Sequence, residues 1–401
     1  MLTRRIFKED VYARETEAKV LQIKQDDQVL IALDRTVFFP EGGGQSSDIG
    51  TIADCTVDYV FEEDDQIWHQ VNHFTKLPKE GDTVTAVIDW DHRFDNMQRH
   101  CGEHILSGVL HKLYGGVNRG FHMGDDYMTI DISLEDKPEF TKLTWNMVKE
   151  AEYQVNRIIW QNLPVVTRHF NTREEAENLP LRKKLNIDRD ITIVSVGSID
   201  EPSDCVACCG THPALTGQVG MIKIYKVEPN KGMFRIYLEA GERAWLQYQH
   251  KYDVLTELEN RLSANTDDVL QKYSAKDEKL TETKNRLANL SKAVTQMEAD
   301  KILKQITENS KMIDCEYSIL EIQDLMNIGK KVTKEFSGLL MLHHLPSHTL
   351  LLFSSTYHCG NIVNESRDKY RVKGGGGKNN ARAIFTSEQE AKGYIEYLRN
   401  L

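Results

Sequence analysis

The chain has no hydrophobic run approaching the ~20 residues of a membrane span, so no transmembrane anchor is expected. Its opening, MLTRRIFKED, lacks the apolar centre of a secretion signal. Cysteine is sparse: 7 in 401 residues, an odd number, with three crowded between positions 205 and 209. That distribution excludes a disulfide framework and fits a reducing cytoplasm. Positive charge is in deficit, 50 Lys and Arg against 61 Asp and Glu, for a net charge of −11. Indiscriminate nucleic-acid binding is thereby excluded, although a local basic surface is compatible with an acidic whole. Proline is missing from Gly241 to Thr307.

That proline-free stretch reads as a helical arm. Leu255, Leu258 and Leu262 begin a near-heptad pattern, which Tyr273, Leu280, Leu287, Leu290, Val294 and Met297 continue out of phase. The break near Thr266 predicts two helices, about 243–263 and 267–308, with Thr266 as the second N-cap. They are expected to pack as an antiparallel hairpin or a dimerisation arm. Before the arm, short apolar runs at 18–23, 28–33, 51–61, 67–71 and 83–88 predict strands at barrel or sandwich spacing.

Two short stretches carry the chemistry. Arg99-His-Cys-Gly-Glu-His104 lies in a predicted helix over 95–113, so His100 and His104, four residues apart, share one helix face. Cys205-Val-Ala-Cys-Cys-Gly-Thr-His212 reads as a loop, with Cys208 and His212 at the same separation. Histidines at i and i+4 are by themselves commonly surface or core residues. Joined to a cysteine-rich loop with its own histidine, they form a ligand set that suits Zn2+. Cys205 and Cys209 leave open which sulfur a metal prefers; the spacing favours Cys208. Gly42-Gly43-Gly44, followed by Gln45, is a turn whose backbone a ligand can approach, with Thr36, Gln45 and Asp48 flanking it.

The glycine stretch, His100-Cys-Gly-Glu-His104 and Cys208-Cys-Gly-Thr-His212 resemble, in order, three motifs of the editing domain of alanyl-tRNA synthetases and of the freestanding AlaX proteins. Cys101 stands where those relatives usually carry Thr or Ser, and Cys209 where they usually carry Gly. The resemblance implies a zinc-dependent hydrolase that deacylates mischarged tRNA for alanine, seryl-tRNA first and glycyl-tRNA as the other possibility. It casts His100, His104, Cys208 and His212 as metal ligands, Gly42 to Gly44 as substrate-binding backbone and Thr36 as the sensor of the serine hydroxyl. Gln45 would orient substrate or water. Glu103 is a candidate base, against a structural role on its helix.

The last segment offers buried strands near 338–343 and 349–354, two helices, and Lys373-Gly-Gly-Gly-Gly-Lys378, read as a loop. It resembles the DHHA1 domain that follows the coiled coil in those synthetases and in long AlaX proteins. Arg371, Lys373 and Lys378 around Gly374 and Gly375 are candidate tRNA contacts. The expected class is therefore α+β: a β-rich barrel over 1–90, a zinc-bearing editing core over 91–240, a coiled-coil arm over 241–310 and a small α/β domain over 311–401. Expected partners are aminoacylated tRNA for alanine and a second copy, through the arm or the last domain, with no membrane.

Three competitors remain. A zinc-containing tRNA-binding protein without hydrolysis is one. An H-x-x-E-H zinc peptidase is another, but it would leave the glycine motif idle. An ATP-dependent ligase is rejected, because nothing upstream of residue 90 could house the aminoacylation core.

Overall fold

The structure, a computed structural model, describes residues 3–137, 139–198 and 200–400. They fall into two units, Met1–Thr256 and Glu257–Leu401. Among the described residues no helix is long and apolar enough to cross a membrane.

The first unit begins with six strands: β1 (Glu15–Gln25), β2 (Val29–Leu33), β3 (Gly50–Ile52), β4 (Cys55–Glu63), β5 (Gln66–Asn72) and β6 (Thr83–Ile88). They pair antiparallel in the order β1-β2-β5-β4-β3-β6, and β6 returns to β1, closing the sheet on itself. Ile31, Leu33, Val37, Phe38, Ile52, Val57, Val60 and Ile67 fill its interior. The run 51–61, read from sequence as one strand, is two: Ala53 adopts a left-handed backbone (φ 49°) and turns the chain between β3 and β4.

Helix α1 (Trp90–Tyr114) follows directly, and Asp89 caps it by accepting from the His92 amide. Every residue from Arg99 to Leu110 is buried, so this helix is enclosed on all sides rather than amphipathic. Two ion pairs pin it where no water reaches. Arg93 meets Asp48 with both side chains fully buried, and Arg99 meets Glu239 at 2.7 Å. Isolated charges would be costly there, but each guanidinium also donates to backbone carbonyls, Arg93 to Val11 and Val37 and Arg99 to Gly124.

Around α1 lie a four-stranded sheet and a three-stranded sheet. The first contains β7 (Val117–Met123), β8 (Met128–Ser133), β12 (Ile222–Asn230) and β13 (Met233–Ala240), ordered β12-β13-β8-β7. The second is β9 (Val165–Thr172), β10 (Arg189–Gly197) and β11 (Pro202–Ala207) in sequence order. Helix α2 (Trp145–Trp160), capped by Thr144, sends Val148, Ala151, Val155 and Ile159 into the shared core. The cysteine stretch is a loop only from Cys208 onward. Cys205 lies on β11 and points into a small core with Leu185, Ile191 and Ile193.

Helices α3 (Gly241–Leu262) and α4 (Val269–Lys304) occupy the predicted arm. At 36 residues, α4 is ~54 Å long. Its N-terminus is not capped by Thr266, whose hydroxyl instead donates to Glu259 at 2.5 Å. Asp268 is the N-cap residue, without a side-chain capping bond, and the Asn265 side chain accepts from the amides of Asp267 and Asp268 in the turn before it.

The second unit holds β14 (Met312–Tyr317), α5 (Ile322–Val332), β15 (Leu339–His344), β16 (Thr349–Phe353), α6 (Cys359–Glu365), β17 (Lys373–Gly376), β18 (Asn380–Ile384) and α7 (Glu388–Arg399). Its sheet runs β14-β15-β16-β18-β17, with β14 and β15 parallel. The glycine run is therefore an edge strand and not a loop. A Cβ on Gly374 would lie 2.0 Å from the Arg382 carbonyl oxygen across the ladder. The class is mixed α+β.

Candidate metal centre and the cavities beside it

α1 presents His100 and His104 one turn apart, and the loop after β11 brings Cys208 and His212 against them. One donor atom from each of the four lies within 4.8 Å of all the others. Cys208 Sγ is 3.4 Å from the Nε2 atoms of both His100 and His212. A tetrahedral zinc with ~2.0 Å bonds to nitrogen and ~2.3 Å to sulfur needs donors about 3.5 Å apart, so the set fits the ion.

The far nitrogens are held as a metal site requires. His104 Nδ1 meets Asp204 at 2.9 Å, and His100 Nδ1 meets Gln45 Oε1 at 2.9 Å. Each bond turns Nε2 toward the cluster and fixes the ring. His212 Nδ1 is buried without a partner among the described residues. Asp204 is itself steadied by Arg182, which overcomes the burial that would raise its pKa and holds it below the usual carboxylate range. Burial also favours a neutral Cys208 thiol, but the three imidazoles override it and hold its pKa well below the ordinary value. His104 answers that charge. Burial opposes its protonation, yet Cys208 and Asp204 lift it to about 10. His212 in the same cluster is pushed the other way, down to about 4, because burial disfavours its charged ring.

The glycine turn closes over this cluster. Gly42 and Gln45 pair across it, and Gly43 and Gly44 have left-handed φ of 61° and 83°. A Cβ on Gly44 would come within 2.8 Å of Phe121 Cδ1, and Phe121 stacks on His100 with ring centres 5.5 Å apart. The turn thus packs against the ring that covers His100. Two cavities abut the cluster. One of ≈ 260 Å³ is bordered by His100, Glu103, His104, Cys208, Gly43 and Lys183. A larger one of ≈ 910 Å³ reaches Cys209 to His212 and carries Arg5, Lys8 and His169 on its wall.

A family profile described as "Threonyl and Alanyl tRNA synthetase second additional domain" matches residues 191–237, which include Cys208 and His212. Another, "tRNA synthetases class II (A)", matches residues 7–92, which include the glycine turn. The alanyl-tRNA editing protein AlaX-L of Pyrococcus horikoshii is 37% identical over 250 residues, 61% of this chain. The chain resembles the alanyl-tRNA editing proteins. It covers 59% of that relative's length. The alanine–tRNA ligase of Pyrobaculum arsenaticum is 27% identical over 409 residues, 99% of this chain and 44% of the ligase. That of Pyrococcus furiosus is 31% identical over 260 residues, 63% of this chain and 27% of the ligase. The chain therefore spans less than two thirds of these relatives.

Beside its likeness to the editing proteins, the fold places each expected residue. Gln45 is buried with its amide fully engaged: Oε1 accepts from His100 and the Thr211 amide, and Nε2 donates to Thr211 Oγ1 at 2.8 Å. It holds a ring rather than facing a cavity. Thr36 is fully buried, 2.8 Å from His69 Nε2 and 3.1 Å from the Phe38 amide, and borders neither cavity. Glu103 does border the smaller cavity, with Oε1 accepting from Ser107 and Asn118 at 2.5 Å each. Cys209 is exposed above Gly43. Asp48 is bound up with Arg93 beneath the turn. In the second unit Arg371, Lys373 and Lys378 are exposed along or beside the edge strand that holds Gly374 and Gly375.

Sequence reasoning missed Asp204, Arg182, Asn118 and Phe121. Asp204, four residues before Cys208, carried the one signal that was available, a carboxylate next to a ligand loop.

Proposed function

We propose that this chain is a zinc-dependent hydrolase that removes a wrongly attached amino acid, serine first and glycine as the alternative, from tRNA for alanine. The observation that carries it is the four-residue donor set, buried yet bordered by a cavity with a carboxylate in its wall. The named activity of the similar AlaX-L protein supports it. So does the glycine turn, whose position beneath Phe121 shapes the cover over His100.

His100, His104, Cys208 and His212 would hold the zinc, which supplies Lewis acidity toward the substrate's amino group or a water. Asp204 and Gln45 keep the His104 and His100 rings in their metal-facing tautomers. Glu103, with Oε1 anchored by Ser107 and Asn118, takes the proton of the attacking water at Oε2. Water then adds to the ester carbon, the C–O bond to the ribose breaks, and the ribose oxygen leaves with a proton. Thr36 senses the serine hydroxyl only if its own hydroxyl leaves His69; Thr36→Val keeps the volume and removes that group. The exposed cations of the second unit, Arg371, Lys373 and Lys378, supply tRNA phosphate contacts. Exposed Tyr273, Leu280, Leu287 and Val294, seven residues apart along α4, support association with a second copy.

Four protein donors would also fill a closed structural site, which favours a tRNA-binding role without hydrolysis as the alternative. Deacylation of seryl-, glycyl- and alanyl-tRNA by wild type, His104→Ala and Cys208→Ala separates them. Rapid loss of serine, sparing of alanine and inactivity of folded, zinc-depleted variants are expected. A zinc-loaded wild type that leaves every ester intact sinks the hydrolase.

A further inference from the structure

On the outer face of α2, Trp145, Lys149, Tyr153, Arg157 and Trp160 recur every three or four residues and so share one side of the helix. The same helix has already sent its Val and Ile residues to the core. The three aromatics nevertheless stand 44%, 54% and 67% exposed, and neither Lys149 nor Arg157 enters an ion pair among the described residues. Trp160 borders a cavity of ≈ 680 Å³, whose lining also includes Trp245 and Tyr248 from the start of α3, themselves 52% and 54% exposed. None of these residues borders the cavities beside the donor set.

We propose that this face is a second RNA-contact surface, which stacks an unpaired nucleobase among Trp160, Trp245 and Tyr248 while Lys149 and Arg157 meet flanking phosphates. The proposal rests on the reading that the chain acts on tRNA. Apolar protein-docking faces are depleted in lysine, whereas aromatic platforms alternating with cations are how proteins hold single-stranded nucleic acid. The nearest acids weaken this little. Glu152 is occupied by Lys223 at 2.6 Å and by the Ile224 amide, and Glu150 accepts from Gln154. Glu242 also borders the cavity, so the face is close to neutral and stacking supplies most of the affinity.

The test is binding of uncharged tRNA for alanine to the full chain, across a salt series, by wild type, Trp160→Ala, Trp245→Ala and Lys149→Ala/Arg157→Ala. Each tryptophan variant is expected to weaken binding about tenfold. The cation pair should flatten the salt dependence by about 1.4 logarithmic units per decade, the share of two phosphates on a single strand. With charged tRNA, KM should rise and kcat should hold. All four side chains are exposed, so zinc content and the thermal midpoint should match wild type. Affinity and salt slope within twofold of wild type in the Trp160→Ala/Trp245→Ala double variant would overturn the proposal. So would conversion of a dimer to a monomer with unchanged RNA affinity, which would make the face an interface between copies. Hydrolysis that survives alongside wild-type affinity in that double variant removes this surface and leaves the hydrolase standing. RNA affinity lost in the variants, with no ester cleaved by wild type, does the reverse.

Discussion

The glycine runs Gly42–Gly44, in the first unit, and Gly374–Gly376, in the second unit, are alike as sequence, but the fold uses them differently. The first run reverses the chain with left-handed backbone and slides beneath Cys209 and Phe121, next to the donor set. The other is drawn out as an edge strand, where the missing side chains of Gly374 and Gly376 admit the carbonyls of Arg382 and Asn380 on β18. In both cases glycine marks a place where something comes too close for a Cβ. What approaches decides the role: the ring that stacks on His100 in one run, a neighbouring backbone in the other.

Substitutions can break that comparison, and the largest effect is expected in the edge-strand run. Gly374→Ala sets a methyl against a backbone oxygen that cannot move without the ladder, so β17 should peel away at a cost of about 3 kcal/mol or more. The thermal midpoint of the second unit should fall while zinc content is retained; an unchanged midpoint would show that the strand tolerates side chains.

Acid probes the support beneath the first run. His69, buried beside Thr36, has its pKa lowered to about 4 from 6.5 because burial disfavours the charged ring, despite its bond to the Ile31 carbonyl. The unfolded chain therefore takes up this proton first as pH falls. Stability from a neutral His69 is complete above about pH 6.5 and fades toward pH 4, a loss of about 3 kcal/mol. Melting from pH 7 to pH 4.5 should show this component in wild type, and His69→Gln should abolish it.

Gly44→Ala should act on chemistry instead. Phe121 must move, and with it the cover over His100, so deacylation is expected to drop about a hundredfold, about 2.7 kcal/mol, with zinc still bound. A variant as active as wild type would detach the glycine turn from the site. Gly43→Ala meets only the Cys209 sulfur, at 2.9 Å, on a side chain free to rotate. Its cost should stay near 1 kcal/mol and shrink in a Cys209→Ala background. Gly377→Ala meets nothing and should change stability by less than about 0.5 kcal/mol.

Helical spacing made His100 and His104 legible as a pair, and a cysteine with a histidine four residues on made the facing loop legible. Local periodicity likewise marked the barrel strands, α1 and the arm. What stayed hidden was decided across the sheet. Cys205 turned inward because its residue is still strand, and nothing local separates it from Cys208. Gln45 resembled a catalytic amide until the His100 ring, 55 positions away, claimed its oxygen. The edge strand of glycines defied β-propensity because tight approach, not side-chain packing, formed it. Thr266 does not cap α4 because Glu259, seven residues earlier, captures the threonine hydroxyl.

The enclosure of α1 bears on how the protein is made. His104 and Cys208 are separated by 104 positions, so at about 5–20 residues per second a translating ribosome delivers the later ligand roughly 5 to 20 s after the earlier one. During that interval the barrel residues that hold Arg93 and His100 already exist, but Arg99 and His104 wait for their acidic partners. Asp204, Cys208, His212 and Glu239 all arrive late. The four donors are therefore complete only near the end of the first unit's synthesis, so a metal held by all four would close a nearly finished unit instead of nucleating its folding.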